Sequence, residues 1–301
     1  MRLNRKLGCA VVGLFVATLA WADGDKGREP SEESNEPFYL ALGDSVTFGF
    51  NPLLQVPVRP SLYVGYPLLL GVIIDETAVN AACPGQTSSG FLSLQGTDNG
   101  CFTFREVNAL HVQYSGTQLE FAVQFLESHK RTKLVTLQLG ANDLFMLLHS
   151  CGDDITNPAV VSCVVQQAPT VINEVAQNIG TAIGALRKAG YDGQIILPFY
   201  YSPNTSPLFR QVIQALNQAM SSVAGATGSQ TADVFGAFDA FSGPTHDACA
   251  AGLLIVLPTG GCDIHPSAAG AELIAETISP VVEKKKEKHD EKWEVVAAHE
   301  R

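Results

Sequence analysis

Four residues far apart in the chain supply complementary parts of a single reaction. Ser45 follows the apolar run Phe38-Tyr39-Leu40-Ala41-Leu42 through the turn Gly43-Asp44-Ser45. A serine hydroxyl is a weak nucleophile near neutral pH and needs a base to take its proton as it attacks a carbonyl. Histidine suits that role, and His265 stands in Gly261-Cys262-Asp263-Ile264-His265-Pro266-Ser267, just ahead of a helical pattern. Attack places negative charge on the carbonyl oxygen, and fixed donors must meet it where it develops. The backbone N–H of Ser45, the N–H of Gly85 and the side-chain amide of Asn142 are three such donors. Gly85 also lets backbone approach a substrate with no Cβ in the way. Each residue alone has a plainer reading: a turn serine, a helix-capping asparagine, an ordinary loop histidine. Together, in this order and at the ends of strands, they point to acyl transfer.

Strands must bring them to one edge. Residues 38–42 read as a buried strand, residues 76–82 as a second running into Cys83-Pro84-Gly85-Gln86-Thr87, and residues 133–139 as a third ending in Gly140-Ala141-Asn142-Asp143. A fourth covers 194–199 and a shorter fifth 231–235. The stripe Leu119, Ala122, Val123, Phe125, Leu126 predicts an amphipathic helix over 117–130. A long helix is expected over 169–189, ended by Gly190. Another starts at Asn204 or Ser206 and reaches 223, and a last one, capped by Ser267, runs to 282. Ser61 caps a short helix to residue 70. Residues 51–60, 88–115 and 151–163 read as loops, and His246 as solvent-facing. Asp44 and Asp143 are assigned to turns and caps, and Asp153 and Asp154 to a solvated loop rather than a calcium site. Strands alternating with helices imply an α/β fold, a parallel sheet covered on both faces.

The chain has 301 residues, 46% hydrophobic and 16% charged, which suits a folded body with a substantial core. Arg2, Arg5 and Lys6 precede an apolar run over residues 7–20 that ends in Ala20-Trp21-Ala22, the pattern of a cleavable export signal. That run is shorter than the roughly 20 residues that span a bilayer. The expected organisation is a signal peptide at 1–22, a mobile acidic leader at 23–36, one domain at 37–282 and a charged extension at 283–301. The protein is expected to be secreted or periplasmic. Loss of Arg2, Arg5 and Lys6 moves the formal charge from −11 to −14. Such acidity disfavours nucleic acid and anionic lipid surfaces as partners. Seven cysteines become six once Cys9 leaves. Six allow about 15 pairings, and proximity favours Cys83 with Cys101, Cys151 with Cys163, and Cys249 with Cys262. No Cys-x-x-Cys spacing favours a metal site, and no cofactor is expected.

The blocks Gly43-Asp44-Ser45, Gly85, Gly140-Ala141-Asn142-Asp143 and Asp263-Ile264-His265-Pro266 resemble, in order, the four blocks of the SGNH (GDSL) hydrolase family. The segment around Cys83 to Thr87 and the three cysteine couples are similar to its secreted bacterial esterases and lipases. The resemblance implies a three-layer α/β/α sandwich that hydrolyses carboxylic esters; the expected partner is a small-molecule or lipid ester substrate, and the expected state a monomer. It would make Ser45 the nucleophile, His265 the base, and Ser45, Gly85 and Asn142 the oxyanion hole. One departure stands out. The family's aspartate lies three residues before the histidine, where this chain has Cys262, so either Asp263 or a backbone carbonyl near Cys262 orients His265. Three other readings stay open: a carbohydrate acetylesterase, a non-catalytic secreted binding protein, and a metal-dependent phosphoesterase built on Asp44, Asp263 and His265.

Overall fold

The computed structural model describes residues 37–54 and 57–283. The expected signal peptide, the acidic leader and the extension from residue 284 onward lie outside the described residues.

Five strands, β1 (Phe38–Gly43), β2 (Thr77–Asn80), β3 (Thr132–Gln138), β4 (Gln194–Pro198) and β5 (Gln230–Ala232), form a parallel sheet in the order β2-β1-β3-β4-β5. The central strands are apolar because helices cover both faces; Leu40, Leu42, Val135, Leu137, Ile195 and Ile196 are all buried. A very short helix, α1 (Ser45–Phe48), follows β1 directly. Helix α2 (Tyr66–Ile74) packs with β2 and with a later helix on one face. The other face carries α5 (Gln118–Ser128), α6 (Ala141–Cys151), α7 (Pro158–Lys188) and α8 (Pro207–Thr227), with α7 touching all three of its companions. This is the expected three-layer α/β/α sandwich. In this strand order successive connections leave β1 in opposite directions, so the crevice beyond the carboxyl ends of β1 and β3 is where ligands bind. Among the described residues no helix is long and apolar enough to cross a membrane.

Several elements differ from expectation, each for a local reason. Residues 88–115 contain two helices, α3 (Ser88–Leu92) and α4 (Cys101–Val107). They are too short to show a period, but the Thr87 side chain caps the first, and the Asp98 carboxylate takes the N–H groups of Gly100, Cys101 and Phe102 at the second. Helix α2 starts at Tyr66 rather than after Ser61, with Pro67 harmless in its first turn. Helix α7 starts at Pro158, not Pro169, because Asn157 caps it and buried Val160, Val164, Ala168 and Ile172 continue one stripe. Pro169 lies on the exposed face, where water can satisfy the carbonyl it frees. The fifth strand stops at Ala232: Asp233 caps α9 (Val234–Ser242), which takes up Val234 and Phe235. His246, half-exposed, sits 3.5 Å from Asp239. A separate antiparallel pair, β6 (Leu254–Val256) and β7 (Cys262–Pro266), then leads into α10 (Ala268–Ile278), capped by Ser267 as expected and packed on α2 and α9.

Disulfides join Cys83 to Cys101, Cys151 to Cys163 and Cys249 to Cys262. The last anchors the start of β7. Replacing Cys249 and Cys262 with serine is expected to lower the unfolding free energy by about 2–4 kcal/mol, read from urea denaturation; an unchanged midpoint would show that this bridge does not form.

Candidate active site

β1 ends in a place only glycine fills. A Cβ on Gly43 would lie 2.5 Å from Thr47 Oγ1 and 2.7 Å from the Gln138 carbonyl. Asp44 follows, its Oδ1 accepting the Val46 N–H at 3.0 Å and so capping α1. Ser45 thereby becomes the first residue of a helix, where the N–H has no intrahelical acceptor. Behind the turn, buried Gln118 receives the Gly43 N–H at 2.6 Å and donates to the Gly43 carbonyl at 3.0 Å.

His265 arrives on β7, and its Nε2 lies 2.8 Å from Ser45 Oγ. Asp263 Oδ1 accepts the backbone N–H of His265 at 3.0 Å and also the ring Nδ1–H. Alternate residues of a strand share a face, so a carboxylate two positions before the histidine reaches its ring. Of the two orienting groups left open by the sequence, it is the Asp263 carboxylate that contacts Nδ1. With the proton held there, Nε2 is an acceptor facing the serine hydroxyl. Burial pushes the Asp263 carboxyl up, but the hydrogen bond and charge of His265 outweigh it and hold the group below the usual carboxylate range. The Phe50 ring meets the imidazole edge-to-face, 5.0 Å between centroids.

The donors expected from the other strand ends are gathered here too. Gly85 has a φ of +81°, and a Cβ on it would come within 2.3 Å of the Asn99 carbonyl. The Cys83–Cys101 bridge holds these two segments together. Asn142 is the second residue of α6 rather than its cap. Its Nδ2 donates to the Gln86 carbonyl at 3.1 Å, with Asp44 Oδ2 at 3.5 Å, and its Oδ1 accepts from Asn99 Nδ2 at 2.8 Å. Ser45, Gly85, Asn142 and His265 all border one cavity of 410 Å³. Away from these groups it is apolar, walled by Leu144, Leu147 and Leu148 of α6, Val164 of α7, and Leu208 and Val212 of α8.

Asp143 accepts from Ser88 N–H at 2.9 Å and Ser88 Oγ at 2.7 Å, tying α3 to α6 in the structural role expected of it. Sequence reasoning missed Asn99, Gln118, Phe50 and the pair Tyr200-Tyr201. Only the tyrosines carried a usable signal, since they follow the fourth strand at the same sheet edge.

Asp44 is fully buried, its Oδ2 accepting the Tyr200 hydroxyl at 2.6 Å. Burial pushes its carboxyl from 3.8 up to about 6, against the opposing pull of the Tyr200 and Val46 hydrogen bonds and the His265 charge. Folding therefore favours the neutral carboxyl. That contribution is complete below about pH 4 and is lost as pH rises through about 6. The stability of the wild type relative to D44N should fall by on the order of 3 kcal/mol between pH 4 and 8, measured by denaturant unfolding across that range. A difference that stays flat would contradict the shift.

A sequence profile of the GDSL-like lipase/acylhydrolase family matches residues 41–273, from β1 into α10. No curated protein matches the chain in sequence. Solved structures resemble its fold. Phospholipase A1 from Streptomyces albidoflavus NA297 is 19% identical with a TM-score of 0.53, over 82% of this chain and 98% of that one. An extracellular lipase from Streptomyces rimosus is 18% identical with a TM-score of 0.51, over 81% and 97%. The lipase Lip_vut3 from a goat rumen metagenome is 15% identical with a TM-score of 0.50, over 81% and 96%. At such identities the structures speak for the fold, and the profile speaks for the lineage: the chain belongs to the GDSL-like lipase/acylhydrolase family.

Proposed function

We propose that the protein is a secreted serine esterase or lipase that hydrolyses carboxylic esters through an acyl-enzyme. The observation that carries this reading is the 2.8 Å contact between Ser45 Oγ and His265 Nε2, with Asp263 on the far side of the ring. As Ser45 Oγ attacks the ester carbonyl, His265 takes its proton. The oxyanion is met by the N–H groups of Ser45 and Gly85 and by Asn142 Nδ2, whose second N–H turns to it from the long 3.5 Å contact with Asp44. His265 then protonates the departing alcohol, leaving an acyl group on Ser45. Water attacks that acyl group by the same route, His265 again acting first as base and then as acid. Asp263 keeps the proton on Nδ1 and stabilises the imidazolium. No step calls for a metal or cofactor.

The apolar cavity beside Ser45 supports an ester with an extended hydrocarbon acyl chain. A carbohydrate acetylesterase would leave Leu144, Leu147 and Leu208 with nothing to cover. A non-catalytic binder has no need of a serine, an imidazole and a carboxylate in hydrogen-bonded sequence. Export is supported by the residue 1–22 pattern and by three disulfides, which persist in oxidising compartments. Substrate is expected to be a neutral small-molecule or lipid ester, taken by a monomer.

A fluorophosphonate probe should label the wild type and leave S45A unlabelled, and S45A should lose ester hydrolysis; labelling of folded S45A would defeat the assignment. D263A should lower kcat by roughly 10³- to 10⁴-fold, whereas a loss within about tenfold would return the orienting role to a backbone carbonyl. Across p-nitrophenyl esters, kcat/KM should climb by up to about fourfold per methylene from acetate upward. L147W should abolish that climb while sparing the acetate. A ladder that is steepest at acetate would favour the acetylesterase.

A further inference from the structure

The two halves of the site stand on backbone that is not joined by a strand ladder. Ser45 and Asn142 follow β1 and β3 of the main sheet, whereas Asp263 and His265 lie on β7, which pairs with β6 alone. Main-sheet hydrogen bonds therefore do not set the distance between hydroxyl and imidazole.

Two adjacent tyrosines just beyond β4 reach both halves. The Tyr200 hydroxyl donates to Asp44 Oδ2 at 2.6 Å, and the Tyr201 hydroxyl donates to the Ile264 carbonyl at 2.7 Å. Asp44 holds the Ser45 turn through the Val46 N–H, and Ile264 lies between Asp263 and His265. Each phenol is thus one hydrogen bond from one half of the site. Both are buried and firmly seated. Tyr200 N–H donates to Asn217 Oδ1 at 2.9 Å, and Asn217 Nδ2 donates back to the Tyr200 carbonyl at 2.8 Å, fixing this segment to α8. The Tyr201 ring stacks on Phe238 of α9 at 4.4 Å and 11°. Successive residues in extended chain point to opposite sides, which lets neighbours brace two separate partners.

We propose that Tyr200 and Tyr201 form a two-armed brace that sets the spacing of Ser45 and His265. They are positioning residues, acting through Asp44 and through the Ile264 carbonyl rather than on the reacting atoms. This rests on the serine-hydrolase reading. Both phenols also border the cavity, so a role as mere wall is the competing account, and it makes a different kinetic prediction. A wall contact changes KM, whereas a misplacement of about 1 Å between reacting groups costs kcat roughly 100-fold.

The test compares Y200F, Y201F, D44A and the double variants D44A/Y200F and D44A/Y201F by steady-state hydrolysis of one p-nitrophenyl ester. Each tyrosine variant should lower kcat by roughly 10- to 100-fold with KM within about twofold of wild type. In the D44A background Y200F should cost less than about twofold, because its partner is gone, whereas Y201F should keep its full effect. 4-Aminophenylalanine at either position, a weaker donor of the same shape, should give a kcat between those of tyrosine and phenylalanine; it also serves should a phenylalanine variant not fold. Independently of turnover, hydrogen exchange should quicken at residues 262–266 in Y201F and at residues 43–49 in Y200F, and not the reverse. Unchanged kcat, a loss confined to KM, a full Y200F effect in D44A, or 4-aminophenylalanine no better than phenylalanine would each overturn the brace. A wild type without turnover would overturn the hydrolase reading instead, and the exchange pattern would then decide the brace alone.

Discussion

Polar groups buried at the carboxyl edge of the sheet must all find partners, and that constraint shapes the rest of the site. Asp44, Thr47, Gln86, Gln118, Gln138 and Asn142 are all buried there, where an unpaired polar atom costs about 1–3 kcal/mol. They satisfy one another and the exposed strand ends. Gln118 closes on both backbone groups of Gly43, Gln138 donates toward the carbonyls of Pro198 and Phe199, and Asn142 is held at both ends of its amide. A network that is paired throughout leaves few alternative arrangements. The Ser45 turn and the Asn142 amide are consequently fixed within the fold itself, which is what the proposed stabilisation of a developing oxyanion requires.

The two carboxylates nearest the Ser45–His265 pair are pushed apart by their surroundings. Burial raises Asp44 against the pull of its hydrogen bonds, while contact with the imidazole holds Asp263 low. Such divergence separates roles. Asp263 keeps a charge beside the His265 ring, where the proposed mechanism forms a cation, and Asp44 serves as a hydrogen-bonding hub linking Val46, Tyr200 and Asn142. The cavity is divided in the same spirit. Its polar groups converge on one end, at Ser45 and His265, and its remaining wall is supplied by the apolar faces of α6, α7 and α8. The proposed substrate, with one polar carbonyl and one hydrocarbon arm, would meet both requirements in a single orientation.

The cysteine bridges reinforce elements that lie outside the main sheet. Cys83–Cys101 fastens the turn that carries Gly85 to the start of α4, and Cys249–Cys262 fastens the strand that carries Asp263 and His265. Cys151–Cys163 joins the end of α6 to the first turns of α7, beside the deep wall of the cavity. Each crosses a connection that no strand ladder of the main sheet spans.

Local chemistry was enough to place β1, β3, β4 and the helices over Gln118–Ser128 and Pro207–Thr227 to within a few residues, because each has a continuous apolar run or a clear stripe. It also marked Ser45, Gly85 and Asn142, where apolar runs stop, and His265, ahead of a helical pattern; the fold brings all four to one cavity. Elements held by caps and tertiary contacts rather than by periodicity were not legible: α3, α4, α9 and the β6–β7 pair are too short to display a repeat. The start of α7 was misread because a proline that would break an isolated helix is tolerated on an exposed face. The sequence by itself therefore determined which chemical groups are present and that parallel strands would bring most of them to one edge. Only the tertiary structure decided that Asp263 contacts the His265 ring, that Asn99 and the two tyrosines line the cavity beside Ser45, and that this cavity is largely apolar. The Asp263 contact spans two positions, but it forms on a strand too short to read from sequence, and the Tyr200–Asp44 contact spans 156 positions; no local pattern encodes which distant side chains will share a space.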